Sequence, residues 1–214
     1  MNARRLGCEA SVLAAVHGAV RLGMDQELCC LLRRAGLGED AVTAIRLRGS
    51  GREYGVILPT DRTWSQPRLR GYAFSAGFRA LAGGHQVLIV PPADVRLQPR
   101  LANAHWIFQA KEVPACGDVD ALTRCIEARG GKASLAACEA ALASPLARER
   151  IFGLVFGGHL EMDLMTELTG ESVVRRRPPC WTFGWGALGW QLLQIDQADS
   201  SAPPEATALA PLPH

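Results

Sequence analysis

The polar and apolar pattern changes period several times along the chain, and each change marks an element. From Ser11 to Leu22, Leu13, Val16, Ala19 and Val20 fall on one side of a helix. Asp25 is placed to cap a second helix in which Leu28, Leu31 and Leu32 recur at helical spacing, and Gly36 and Gly38 stop it. Ala41 to Leu47 is short and β-branched, with Val42, Ala44 and Arg46 alternating against Thr43, Ile45 and Leu47. The turn signal RGSG follows, so this run is expected to pair with Tyr54 to Leu58 as a hairpin. Pro59 cannot donate to a ladder and ends that strand.

After a turn at Asp61, Ser65 and Pro67, a helical stripe of Leu69, Tyr72, Ala73, Ala76, Ala80 and Leu81 runs to Gly83-Gly84. The run HQVLIV is apolar on both faces and flanked by helices, which predicts an interior parallel strand. Pro91-Pro92 ends it. Leu101 to Ala110 is the next helix, with Ala104, Ile107 and Phe108 inward.

From Val113 the period changes again. Asp118 is placed to cap a helix carrying Val119, Leu122, Cys125 and Ile126, and Ser134 one carrying Leu135, Cys138, Ala141 and Leu142. Ser144-Pro145 is expected to open a third helix burying Leu146, Ile151, Leu154 and Val155. His159 to Leu164 alternates as a half-buried strand, Thr169-Gly170 turns, and Glu171 to Arg175 is a second strand. Three short helices and a hairpin give the order of a winged helix-turn-helix. The expected fold class is α+β, with an α/β unit over residues 1–112 and a winged-helix unit over 113–177. Residues 178–214 form a tail, aromatic at first and then Ala/Pro-rich, expected to be flexible.

Composition narrows the class. The 214 residues are 48% hydrophobic, enough to build real cores, and no apolar run is long enough to span a bilayer. The start has basic and then apolar residues, but Glu9 interrupts it and no clean small-residue cleavage site follows, so a cytoplasmic location is expected. The seven cysteines are odd in number and contain no C-x-x-C pair, which favours reduced thiols over zinc or a disulfide framework. Charge is uneven. Residues 1–112 hold fifteen basic and nine acidic residues, a net +6, residues 113–177 are net −1, and the tail is net −3. A basic front half permits contact with phosphates.

Tyr54 to Val113 resembles the end of the catalytic domain in TnsA-type endonuclease subunits of heteromeric transposases. The elements that carry the resemblance are VILP, RLRGYAFSAGFRAL, QVLIV, and LANAHWIF with Asn103 and Trp106. The winged-helix-like segment behind them fits the same two-domain plan, and the likeness extends over about Asp25 to Arg177. It implies a truncated restriction-endonuclease-like core of the PD-(D/E)xK kind, in which carboxylates hold Mg²⁺ and a lysine assists the attacking water. Here the expected lysine falls at Leu58 and the acid or glutamine before it at Val56. The strand expected to bring the aspartate is read as deleted, since only RGSGRE joins Leu47 to Tyr54. Glu27 is the weak remaining candidate for the family's helical glutamate, and Glu53 and Asp61 flank the strand without a lysine two positions on.

Elsewhere the sequence offers binding rather than catalysis. There is no G-x-S-x-G, Walker or Rossmann pattern, and His85, His105 and His159 lack cysteine partners at ligand spacing. His159, Glu161 and Asp163 share one face of a strand, most simply its solvent face. Arg148 and Arg150 on the third helix and Arg175, Arg176 and Arg177 after the wing are the candidate DNA contacts. Trp181, Phe183, Trp185 and Trp190, spaced by glycines, are read as an anchor for a partner protein.

The expected function is therefore a catalytically silent TnsA-like accessory protein that binds DNA, a transposase or other transposition partner, or both, with no cofactor. An active endonuclease with relocated ligands, which alone would need Mg²⁺, and a protein-interaction adaptor without a DNA role are the alternatives.

Overall fold

The computed structural model describes residues 2–178 and 184–194. The Asn2 side chain accepts from the Arg4 N–H and opens helix α1 (Ala3–Val16). Gly18, at φ 89°, turns the chain into strand β1 (Val20–Met24). The helix expected over Ser11 to Leu22 thus starts earlier and stops earlier. Its last apolar residues pair as an edge strand instead, leaving Val20, Leu22 and Met24 exposed. Asp25 caps helix α2 (Gln26–Arg34) through the Leu28 N–H, as expected.

Strands β2 (Val42–Gly49) and β3 (Arg52–Pro59) form the expected hairpin, in register from Val42↔Pro59 to Gly49↔Arg52. Thr60 then caps a short helix α3 (Asp61–Ser65) where the sequence suggested only a turn. Helix α4 (Pro67–Ala82) leads to strand β4 (Val87–Ile89), which lies parallel to β3, as its two-sided apolar character predicts. The short helix α5 (Pro92–Val95) and helix α6 (Arg100–Ala110) follow.

The four strands form one mixed sheet in the order β1-β2-β3-β4, antiparallel except for the last pair. Period-two alternation divides its residues between two cores. Ile45, Leu47, Val56, Leu58, Leu88 and Val90 face α1 and α6. Ala44, Ile57, Val87 and Ile89 face α2 and α4. Only Ser50 and Gly51 separate β2 from β3.

The C-terminal half holds helix α7 (Asp118–Glu127), strand β5 (Lys132–Ser134), helix α8 (Leu135–Leu142), helix α9 (Ala147–Phe156), and strands β6 (Leu160–Met162) and β7 (Val173–Arg176). The three strands make an antiparallel sheet in the order β5-β7-β6. Strand β5 is absent from the sequence reading. It is three residues long, too short for a period, and is fixed by pairing with β7. Ser134 caps α8 through the Ala137 N–H, as read. Asp118 does not cap α7. Gly117 stands at the cap, and the Asp118 carboxylate accepts from the Ala115 N–H and from Arg150. Helix α9 begins after Pro145 and Leu146 rather than at them.

The fold is thus mixed α and β, and its apolar core runs unbroken across residues 112–113. Leu13, Ile107, Phe152, Leu154 and Trp185 belong to one cluster. At the crossing, the Trp106 ring meets Phe152 edge-on at 5.5 Å and Phe108 meets Phe156 at 5.9 Å. Asn103 donates from Nδ2 to the carbonyls of Leu164 (2.9 Å) and Thr166 (2.7 Å), tying α6 to the loop between β6 and β7. A Cβ on Gly153 would overlap the Glu112 carbonyl oxygen, so the segment after α6 lies directly on α9.

Candidate functional site

The two positions at which the nuclease resemblance expects a ligand and a lysine, Val56 and Leu58, point toward α1 and are fully buried. The carboxylate on that side is Glu9, in the middle of α1 and only 7% exposed. It is not alone. Arg5 Nε lies 2.9 Å from Glu9 Oε1, and Arg96, just past α5, places Nε 3.3 Å from Oε2. Arg96 also reaches Asp61 at the start of α3, Nη1 to Oδ2 at 2.9 Å. The Arg96 guanidinium therefore sits between these two carboxylates.

Glu27, the sequence candidate, lies elsewhere. It belongs to the first turn of α2, on the opposite side of the sheet, and pairs in the open with His85 Nε2 at 3.1 Å. It cannot join a site that Val56 and Leu58 would define, because alternation along β3 aims those two side chains away from α2. The sequence marks Glu9 only as a break in the apolar start, although it lies beside the stripe of Leu6, Ala10 and Leu13. A lone acid on the buried side of a helix is the signal that marks such a position.

A second polar node lies on the α2 side. Asp25, buried at the cap of α2, accepts two hydrogen bonds from Arg46, from Nε at 3.2 Å and from Nη2 at 3.1 Å. The hydrogen bond and the charge of Asp25 raise the Arg46 pKa above its ordinary value. A Cβ on Gly55 would sit 3.1 Å from Asp25 Oδ2 and run into the Leu28 side chain, so glycine is what lets the cap reach the strand. Arg46 also lies 4.0 Å from Glu53, which Arg48 approaches to 2.6 Å. Every carboxylate of this node is matched by a guanidinium.

The arginines read as DNA contacts are redirected by packing. Arg148 pairs with Glu139 of α8 and lies over the Trp106 ring, 5.7 Å from its centroid. Arg150 makes two hydrogen bonds to the buried Asp118 of α7, one of them Nε to Oδ2 at 2.8 Å. Helix α9 is buried or half-buried along its length, with the Glu112 carbonyl lying against Gly153 and Arg148 keeping 37% of its side chain open. The expectation that Arg148 and Arg150 lie on an open helix face is thus corrected. Arg176 reaches Glu127 at 3.6 Å, and Arg177 is partly buried, which lowers its pKa from the ordinary value. Arg175 is exposed between Lys132 and Glu161 on the neighbouring strands.

The aromatic anchor is likewise redirected. Trp185 and Trp190 are buried, 5% and 2% exposed, and stack on each other at 5.8 Å with nearly parallel rings. Trp185 meets Tyr54 edge-on at 4.8 Å, and Arg100 donates to the Leu188 carbonyl between the two tryptophans at 2.7 Å. The glycines that argued against a core element instead allow the short 3-10 turn at Trp185–Leu188, with Gly189 in the left-handed region. Trp181 and Phe183 lie outside the described residues.

Comparison with protein-family models, curated proteins and solved structures gave no match. Among the described residues no three His, Cys, Asp or Glu side chains converge as a metal ion would need, and the cysteines present are free thiols. Cys138, buried beside Cys125, has its pKa pushed up to about 12, first by burial, which keeps it an unreactive thiol. No helix among the described residues is long and apolar enough to cross a membrane.

Proposed function

We propose that this chain is a catalytically silent accessory protein of DNA transposition, with a nuclease-like scaffold and a winged-helix module, that binds DNA, a transposition partner, or both. The β3–α4–β4–α6 succession follows the order that the resemblance to TnsA-type subunits implies. The α–β–α–α–β–β succession behind it follows that of a winged helix.

The observation that carries the silent reading is the pair Val56 and Leu58, fully buried against α1, with Glu9 and Asp61 held by Arg96. Mg²⁺ demands a near-octahedral set of oxygens. This end of the sheet offers hydrocarbon from Val56 and Leu58 and the carboxylates of Glu9 and Asp61 already engaged by Arg96, a set that does not fit the ion.

The test is a plasmid-nicking assay with purified protein in Mg²⁺ and in Mn²⁺. Supercoiled DNA is expected to stay supercoiled. Nicking that disappears in Glu9→Ala or Glu27→Ala would overturn the reading and restore an active endonuclease with relocated ligands.

A protein-interaction adaptor is the second reading, and the covered state of α9 favours it. A winged helix whose third helix is half-covered, with its two arginines engaged by Glu139 and Asp118, offers little to a major groove.

A further inference from the structure

We propose that the outer face of α2, α3 and α4 is a contact surface for the phosphate backbone of duplex DNA. The proposal rests on the reading that the chain contacts DNA, and it moves the contact away from the winged-helix module.

The sequence from Arg62 to Ala93 contains no aspartate or glutamate, yet it carries Arg62, Arg68, Arg70 and Arg79. Helices α2 and α4 run antiparallel. Glu27 at the start of α2 meets His85 just past the end of α4, and Leu69 near the start of α4 shares a groove with Gly36 and Gly38 just past the end of α2. Arg33 and Arg34, in the last turn of α2, therefore stand at the same end as Arg62, Arg68 and Arg70. Among the described residues, no carboxylate lies within ion-pair distance of any of these six arginines. The acids in that groove are Asp61, held by Arg96, and Asp40, which lies outside ion-pair distance of the six arginines. In the C-terminal module, by contrast, Arg148, Arg150 and Arg176 each have an acidic partner.

Two of the side chains are oriented before any ligand arrives. Arg68 donates from Nε to the Tyr72 hydroxyl at 2.8 Å, and Arg70 lies over Trp64 at 5.5 Å. Arg68, Tyr72, Ser75 and Arg79 follow one stripe of α4 at the i, i+4, i+7, i+11 spacing. The eleven-residue step between its end arginines spans about 16 Å, enough to reach phosphates on both sides of a groove.

The rings beside the stripe do not offer bases a place to stack. Trp64, Phe74 and Phe78 are half-buried and tilted on one another at 6.2 and 6.3 Å, so they form a wall behind the guanidinium groups. That favours backbone contact with a duplex over the base stacking that a single strand would need.

The test is fluorescence anisotropy with a 30-base-pair duplex of arbitrary sequence over a salt series. The wild-type chain is expected to bind with a log–log salt slope of about −3 to −5, a loss on the order of 10²-fold between 50 and 200 mM salt. Changing Arg33, Arg34, Arg62, Arg68 and Arg79 together to Gln should weaken binding by at least about 30-fold at low salt and flatten the slope. The same five positions changed to Lys should keep the slope, which separates lost charge from a damaged fold. Lys132, Arg175 and Arg176 changed to Gln should alter affinity less than about 3-fold on the same scale. If the wing variant loses binding and the helical-face variant does not, the surface is wrong while DNA contact stands. If the wild-type chain fails to bind at 50 mM salt, the DNA reading fails with it. Preference for single-stranded RNA over the duplex would also overturn the proposal.

Discussion

Arg96 holds Glu9 at 3.3 Å, so a residue just past α5 neutralises a carboxylate buried in the middle of α1. Removing the cation leaves that carboxylate with Arg5 alone, whose own side chain is largely exposed. Arg96→Ala is expected to destabilise the fold by roughly 2–4 kcal/mol in urea unfolding, toward the low side of the cost of one broken buried pair because Arg5 remains. Glu9→Gln in the same background should recover much of the loss, because the uncompensated charge is then gone. A double variant no more stable than Arg96→Ala would disprove the coupling.

Asn103 joins the two halves through hydrogen bonds to Leu164 and Thr166. Asn103→Ala strands two acceptors beside α6 and is expected to cost about 1–3 kcal/mol. The local signature is faster amide exchange between Leu164 and Leu168 than in the sheet of β1 to β4. Uniform acceleration throughout the protein would instead mean that the tie has no local role.

His17 closes α1, and among the described residues its Nε2 has no hydrogen-bond partner. Burial first, and then the charges of Arg177 and Arg100, hold its pKa down to about 4. Glu161, Asp163 and Glu171 share the groove beside it. An unfolded histidine titrates near 6.5, so the folded state prefers the neutral ring. The associated stability is complete above pH ~6.5 and is lost as pH falls toward about 4, by up to about 3 kcal/mol. Urea midpoints at pH 7 and pH 4.5 should therefore differ more in the wild-type chain than in His17→Gln. Equal differences would rule this histidine out as the cause.

Trp190 stacks on Trp185 inside the core shared by both halves. Trp190→Ala is expected to cost about 3–5 kcal/mol, the range for a large aromatic removed from a core. A partner-binding anchor would behave differently, losing little stability when truncated. A thermal melt of the purified variant separates the two.

How far the sequence could be read depended on element length and on where partners came from. The hairpin of β2 and β3, the Asp25 and Ser134 caps and the parallel β4 were legible because alternation, capping residues and two-sided apolar character are local signals. Strands β1 and β5 were not. β1 is an exposed edge whose apolar residues continue the pattern of α1, and β5 is held by a partner about forty residues away. The site divided in the same way. Val56 and Leu58 were legible as chemically inert, whereas the partners of Arg148 and Arg150 belong to other helices and left no mark on local spacing. Trp185 and Trp190 were misjudged for a related reason. Glycines near aromatics suggested an open linear segment, but here they let the chain fold back onto Tyr54.

The irregular register of β1 has a bearing on self-association. An uncovered edge with Val20, Leu22 and Met24 exposed is a template on which a second chain could add a strand. The pairing with β2 shifts between Arg21 and Gly23, and Gly23 takes a φ of 130° that a β-branched residue would resist. An incoming strand could match the edge for only two or three residues before losing step. Gly23, held at a φ of 130°, is thus the point at which this edge falls out of step for any added strand.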